Sequence, residues 1–349
     1  MPADHLAALA ATDPTEQAIL HILMGGSAEV AAASTPLTVA ELHAAAATYR
    51  AGGQAALANQ RPGWHQFNIH FPDWQTAEQT AAEFLLPALL ATETAGTIDG
   101  WWFIRKHPNW RLRVHTPPPG ADATTELETA LDRLVKDGQL TSWQPGIYEA
   151  ETAAFGGGPA MDIAHDLFIA DSRAVLRRAA TRPAGGLPRR ELSVLLCSAL
   201  AKGAGLEWYE RGDLFARVAA DRPLPAGVNT CDLATLTEGL STLLHANPAP
   251  DGPVFGPGRP GADHADHATA FTDAGHQLAG LNRAGTLRRG LREILAYHVI
   301  FHWNRGGLPT RTQALLAHAG RQAILGPHDD DRKDPRQPGG AASEAAGPS

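Results

Sequence analysis

Cysteine is nearly absent from this chain: Cys197 and Cys231 are the only 2 in 349 residues. Two thiols exclude a disulfide framework and any cysteine-rich zinc site, and they fit a reducing, cytoplasmic setting. No run approaches the roughly 18 apolar residues of a membrane helix. No basic stretch precedes an apolar core at the N-terminus either, so neither a membrane span nor a signal peptide is expected. Basic charge is in deficit, with a formal net charge of -8, which argues against sequence-independent nucleic-acid binding. Lysine is scarce while alanine, glycine, proline and arginine abound, a bias common in GC-rich bacterial genomes. The hydrophobic fraction of 44% is ordinary for a globular protein, and the length suffices for one large domain or two modest ones.

The most informative stretch runs from Trp101 to His115. It reads as two strands joined by a tight turn at Pro108 and Asn109. The second strand alternates, with Arg111, Arg113 and His115 on one face and Leu112 and Val114 on the other. Fixed cations on one sheet face repel each other, so that face suits an anion or a polar peptide. Arginines paired with nearby acids are the plainer reading.

Upstream, residues 1–60 read as a small lobe of short alanine-rich helices, with Thr38-Val39-Ala40-Glu41-Leu42 a plausible start. The stretch from Trp64 to Phe71 alternates as a strand, and a helix is expected from about Trp74 to Leu90, stopping near Gly96. Pro117-Pro118-Pro119-Gly120 is a hard break. Beyond it, Thr124 to Lys136 is an amphipathic helix with Leu127, Leu131, Leu134 and Val135 inward. A strand is expected from Thr141 to Glu149, and helices over about 160–180, 189–202, 206–219 and 285–305. Residues 247–263 read as a mobile proline- and glycine-rich loop, and the charged tail 326–349 as disordered. Strands with helices, then a helical run, indicate an α+β fold with a mixed or antiparallel sheet. The domain expected to hold the function is 61–325.

Several groups could carry chemistry. Leu287, Leu291, Ile294, His298, His302 and Arg305 recur at helical spacing, so an apolar stripe ends in two histidines and an arginine. That end could line a cleft, or simply suit the helix dipole. Met161, Ala164, Phe168, Asp171 and Val175 share a face, which puts Asp171 on the packed side in need of a cationic partner. Asp263-His264-Ala265-Asp266-His267 has metal-ligand residue types but no evident partner cluster, so no metal is expected. Gly156-Gly157-Gly158 lacks the lysine and hydroxyl of a phosphate loop. Ser193, Ser198 and Ser241 lie in no nucleophile elbow.

Four pieces in order resemble the thiopeptide-type bacteriocin biosynthesis domain, the glutamate-elimination module of class I lantibiotic dehydratases, which also exists as a stand-alone protein. They are Trp102 to Arg105 with Arg111 to Arg113, then Tyr148 to Gly157, Asp171-Ser172, and His302 to Arg305. Leu206-Glu207-Trp208-Tyr209 is similar to a segment of stand-alone members, and the resemblance covers about residues 62–325. Two positions depart from the pattern. The family carries histidine where this chain has Asn109, and Arg-Tyr-Gly-Gly where it has Ala154-Phe155-Gly156-Gly157. Losing an arginine that handles the glutamyl ester should cost several kcal/mol of transition-state binding, roughly, which speaks against glutamate elimination.

The stand-alone relatives that relax this arginine set include the thiopeptide pyridine synthases. The resemblance then implies a formal [4+2] aza-cycloaddition of two dehydroalanines in a modified, azole-bearing precursor peptide. Loss of water and of the leader peptide completes the pyridine. Positioning two distant alkenes is worth about 7–11 kcal/mol, and the eliminations need proton carriers. On this resemblance His302 is the expected proton shuttle, with Tyr297 and Tyr148 as further acids. Arg111, Arg113 and Arg305 would polarise amides or bind the leader, and Trp102 would stack on azoles. Arg105, Asp171 and Asn304 complete the expected substrate-binding set. No cofactor is expected. The expected partner is the precursor peptide, with no nucleic acid and no membrane, and a homodimer is compatible with this reading. The alternatives are a glutamate-eliminating subunit of a split dehydratase and a non-catalytic scaffold that presents the precursor.

Overall fold

The computed structural model describes residues 13–59, 63–117, 124–181 and 186–327. The tail expected to be disordered lies outside them beyond Pro327, as does most of the Pro-Pro-Gly break. The chain divides into two compact units, 1–62 and 63–349.

In the first unit, helices α1 (Pro14–Leu23), α2 (Ala28–Ala32) and α3 (Val39–Asn59) pack around Ala18, Ile19, Ala31, Leu42 and Ala46. Asp13 caps α1 by accepting from the Thr15 N–H, and Pro14 fits the first turn, where no amide donor is needed.

The second unit is built on a sheet that follows from the alternation in the sequence. Strands β1 (Trp64–His70), β2 (Gly100–Lys106), β3 (Asn109–His115) and β4 (Ser142–Gly146) form a 4-stranded antiparallel sheet in the order β2-β3-β1-β4. Register pairs Trp102 with Arg113 and Arg113 with Gln66, and it sets Ile104, Arg111 and Asn68 side by side. Side chains directly opposite share a face. One face therefore carries Trp64, Gln66, Asn68, Trp102, Arg111 and Arg113. The other carries Phe67, Ile69, Phe103, Trp110 and Leu112.

That apolar face packs on α4 (Ala77–Thr80), a π-helical turn (Ala81–Leu85), α5 (Leu86–Thr94) and α6 (Thr125–Lys136). Leu127 and Leu131 of α6 are fully buried there, as their spacing requires. Strand β4 is shorter than the expected 141–149, since Pro145 cannot donate to a ladder and the edge ends at Gly146.

Over the mixed face lies α7 (Gly158–Thr181), followed by α8 (Arg189–Gly203), α9 (Trp208–Asp221), α10 (Thr230–His245), α11 (Ala265–Arg283), α12 (Leu291–Arg305) and α13 (Thr310–Leu325). The sequence reading misses α10, α11 and α13. Helix α11 buries mostly small groups, Ala268, Ala274, Gly275 and Ala279 among them, so its apolar stripe is faint. Helices α8 and α11 approach so closely that a Cβ on Gly275 would sit 2.3 Å from the Leu200 carbonyl oxygen. The loop of 247–263 is irregular, yet its Phe255 is fully buried in the helical core and ties it down.

Candidate active site

Helix α7 turns Asp171 inward and α12 turns His302 and Arg305 toward it. All three are buried, Asp171 completely. The Arg305 guanidinium donates from Nη1 to Asp171 Oδ2 at 2.5 Å, and His302 Nδ1 lies 3.0 Å from both carboxylate oxygens. A second histidine, His267 from the start of α11, places Nε2 at 2.9 Å from Oδ1. Burial alone would raise the Asp171 pKa, but His302, Arg305 and the His267 hydrogen bond outweigh it and hold the carboxyl well below its usual range. With Nδ1 facing an anion, a neutral His302 carries its proton there and leaves Nε2 as the lone pair. That Nε2 is buried without a hydrogen-bond partner.

Arg305 also closes the free edge of the sheet. Its Nε donates to the Phe103 carbonyl at 3.0 Å, while the Phe103 N–H donates to Ser172 Oγ at 3.1 Å. The Asp-Ser pair of α7 and the terminal arginine of α12 thereby fix β2 against the helices.

From Arg305 a chain of packed groups leads across the sheet. Its guanidinium carbon lies 5.7 Å from the Trp102 ring centre, and that of Arg113 lies 4.2 Å from the same ring. Arg113 donates from Nε to Gln66 Oε1 at 3.0 Å, and burial brings its pKa down to about 10. Tyr148 stands 4.7 Å from Arg113, and its hydroxyl meets His165 Nε2 at 2.7 Å. Arg113 Nη1 and Arg305 Nη2 are buried guanidinium nitrogens with no acceptor. Tyr148, Trp102, Arg113, Arg305, Asp171 and His302 thus form one connected group, while Arg111 stays half-buried beside Asn68.

Trp102 belongs to this group, and the remaining expected residues fall elsewhere. Trp102 is fully buried and covered by Arg113 and Phe168, so it offers no free ring face to a substrate azole. Tyr297 packs with Arg289 and Phe155, on a different side of α12 from His302. Arg105 ion-pairs with Glu78, which also takes Arg189, and its Nε donates to the Arg305 carbonyl at 2.8 Å. Asn304 accepts from Gln313 at 2.9 Å. Arg105 and Asn304 line a polar cleft of about 610 Å³ with Trp74, Gln79 and Thr310. A separate small cavity of about 30 Å³ lies against His267 and His302.

Sequence reasoning missed Gln66 and His165, named His267 only in a run of metal-ligand residue types, and named His298 only as part of the α12 stripe. The signal for His267 was the Asp-His-Ala-Asp-His run, but its partner Asp171 lies 96 residues away. His298 is the least expected: it is buried against Phe155 at 4.9 Å, neither ring nitrogen has a partner, and burial pushes it down to about 3. Ala154 sits half-buried against the helical core.

Asp171, His267 and His302 bring ligand atoms within 4.8 Å of one another, a donor set that a divalent metal could take by spacing alone. Arg305 speaks against that reading. The carboxylate already neutralises one buried cation at contact distance, and a second, doubly charged one would leave the site with excess positive charge in low dielectric. The hydrogen-bonded arrangement satisfies the carboxylate fully.

An antiparallel sheet whose edge is sealed by Arg305, with arginines inside and an Asp-His pair on the covering helices, defines an α+β scaffold. Residues 64–324 match the family described as the lantibiotic biosynthesis dehydratase C-terminal region, and the chain belongs to that family. Membership places it among enzyme domains that modify ribosomally made peptides. Among solved structures it is similar to the tRNA-dependent lantibiotic dehydratase MibB from Microbispora sp. 107891, with a TM-score of 0.58 and 19% identity. The match covers 76% of this chain and 28% of that one, so the chain spans less than a third of that dehydratase. A second similar structure is TsrL, with a TM-score of 0.47 and 15% identity over 75% of this chain and 98% of that one. No curated protein matches the chain by sequence. Among the described residues no helix is long and apolar enough to cross a membrane.

Proposed function

We propose that this protein builds the pyridine core of a thiopeptide, joining two dehydroalanines of a modified precursor peptide by a formal [4+2] aza-cycloaddition. Loss of water and of the leader peptide follows. The observation that carries this reading is the pairing of an intact Asp171–His302–Arg305 cluster with Ala154 where the elimination domains carry arginine. Dehydroalanines are neutral, so their union needs no carboxylate fork, while the eliminations need an oriented imidazole. His302, held by Asp171, is that proton carrier. The sequence is redox-neutral and calls for no cofactor. The polar cleft at Arg105 and Asn304 is large enough for several residues of the peptide.

One observation favours glutamate elimination instead: the unpaired Nη atoms of Arg113 and Arg305 are buried donors that would suit a glutamyl carboxylate. The readings separate in one assay. Incubated with a dehydrated, azole-bearing linear peptide, the protein should yield a macrocycle and a free leader amide. Given a glutamylated precursor it should release no glutamate, and release would overturn the proposal. Binding without any mass change would indicate a scaffold. His302→Ala should slow cyclisation by about 10²-fold or more while the Asp171–Arg305 pair keeps the fold.

A further inference from the structure

His302 raises a chemical question, because a proton carrier must meet a partner atom and its Nε2 meets none among the described residues. Ser193 of α8 is in the same position: it is 3% exposed, and its hydroxyl also lacks a partner. Both residues line the small cavity of about 30 Å³, whose other walls include Leu192, Leu196 and Leu308 together with Arg178, Arg189 and His264. Buried polar groups left unpaired are rare, and a roomy polar corner normally satisfies them with a water or ligand.

We propose that this cavity is a hydroxyl site, which takes a water molecule at rest and the departing hydroxyl of the substrate during the reaction. The volume is enough for a water-sized, oxygen-centred group. A hydroxyl is matched on both sides: its oxygen accepts from Ser193 Oγ–H, and it donates to His302 Nε2 when that atom is bare or accepts from it once the imidazole is protonated. The other polar side chains of the wall, Arg178, Arg189, His264 and His267, already have hydrogen-bond partners in the protein.

The assignment to the substrate's hydroxyl rests on the cycloaddition reading. In that reading the first ring formed carries a hydroxyl on the carbon beside nitrogen. The His302 imidazolium passes its Nε2 proton to this oxygen. The C–O bond breaks with its electron pair on oxygen, and water results. With the ring imine shifted to its enamine tautomer, the nitrogen's lone pair forms the C=N bond as the C–O bond breaks, and the N–H proton then lost returns to Nε2. Atoms and charge balance, and His302 ends as it began. Ser193 holds the oxygen in place and so acts in the water-loss step, not in ring closure.

Crystals of the full chain, its Ser193→Ala variant and its Ser193→Thr variant test this directly. An ordered water within hydrogen-bond distance of both Ser193 Oγ and His302 Nε2 is expected in the parent and the threonine variant, and not in the alanine variant. With the dehydrated azole peptide, Ser193→Ala should accumulate a cyclic adduct one water heavier than the pyridine product, and form product about tenfold more slowly or worse. Ser193→Thr should restore the parent course. A cavity without an ordered molecule, or an alanine variant that keeps both the water and the parent product ratio, overturns the proposal. A bridging water in a protein that never cyclises the peptide supports the site and overturns only the cycloaddition reading.

Discussion

Replacing Asp171 by asparagine should be among the most damaging single changes in this protein. The carboxylate is fully buried and accepts from Arg305 at 2.5 Å, His302 at 3.0 Å and His267 at 2.9 Å. An amide of the same shape removes the negative charge that faces Arg305 and turns one oxygen into a donor aimed at donors. Breaking a buried ion pair from one side costs about 3–5 kcal/mol, and a unit of this size loses roughly 2–4 °C per kcal/mol. A melting temperature lower by about 10 °C is therefore expected in a circular-dichroism melt at neutral pH. The pH profile supplies the sign. Asp171 has a depressed folded pKa, so its contribution is present above the unfolded carboxylate value of about 3.9 and fades as pH falls through the lower folded value. The parent should lose this contribution in strong acid, and Asp171→Asn should lack that acid-dependent part. Replacing both partners, as Asp171→Leu with Arg305→Met, should recover part of the loss because no charge is left stranded. An Asp171→Asn variant within about 1 kcal/mol of the parent would refute the view that this carboxylate holds the cluster together.

His298 should cost stability in the same direction but from a higher pH. With a folded value near 3, set by burial and Arg305, it takes up a proton only on unfolding between that value and about 6.5, so stability falls as pH drops through this window. His298→Leu should therefore lose about 2 kcal/mol less than the parent between pH 7 and pH 5 in urea titrations, and equal losses would refute the assignment. Gly275→Ala would press a methyl to 2.3 Å from the Leu200 carbonyl, part the α8–α11 contact and cost ~3 kcal/mol in chemical denaturation. Gly280→Ala on the same helix meets nothing within 4 Å and should stabilise it by about 0.5–1 kcal/mol.

Alternation and helical spacing made much of the fold legible. The period-2 pattern from Trp110 to His115 fixes which face of β3 is apolar, and Leu127 and Leu131 fix the inward side of α6. Asp171 could be placed on the packed side of α7, and His298, His302 and Arg305 on one stripe of α12, from spacing alone. Helix α11 was illegible because Phe271 and Leu278 are the large apolar groups it buries and the rest are mostly alanine and glycine, whose small side chains leave little periodic signal. His267 was illegible for that reason and because its meaning lies in Asp171, on another helix.

The sequence by itself determined the strands, their inward faces, the family pattern and its two departures at Asn109 and Ala154, since these are properties of residue type and local period. Only the tertiary structure decided that Arg305 seals β2 and pairs with Asp171, that Trp102 is walled in by Arg113, and that Ser193 and His302 share a cavity. Those facts depend on distances between helices far apart in the chain, and such distances follow from how close-packed layers fit, which no local pattern encodes.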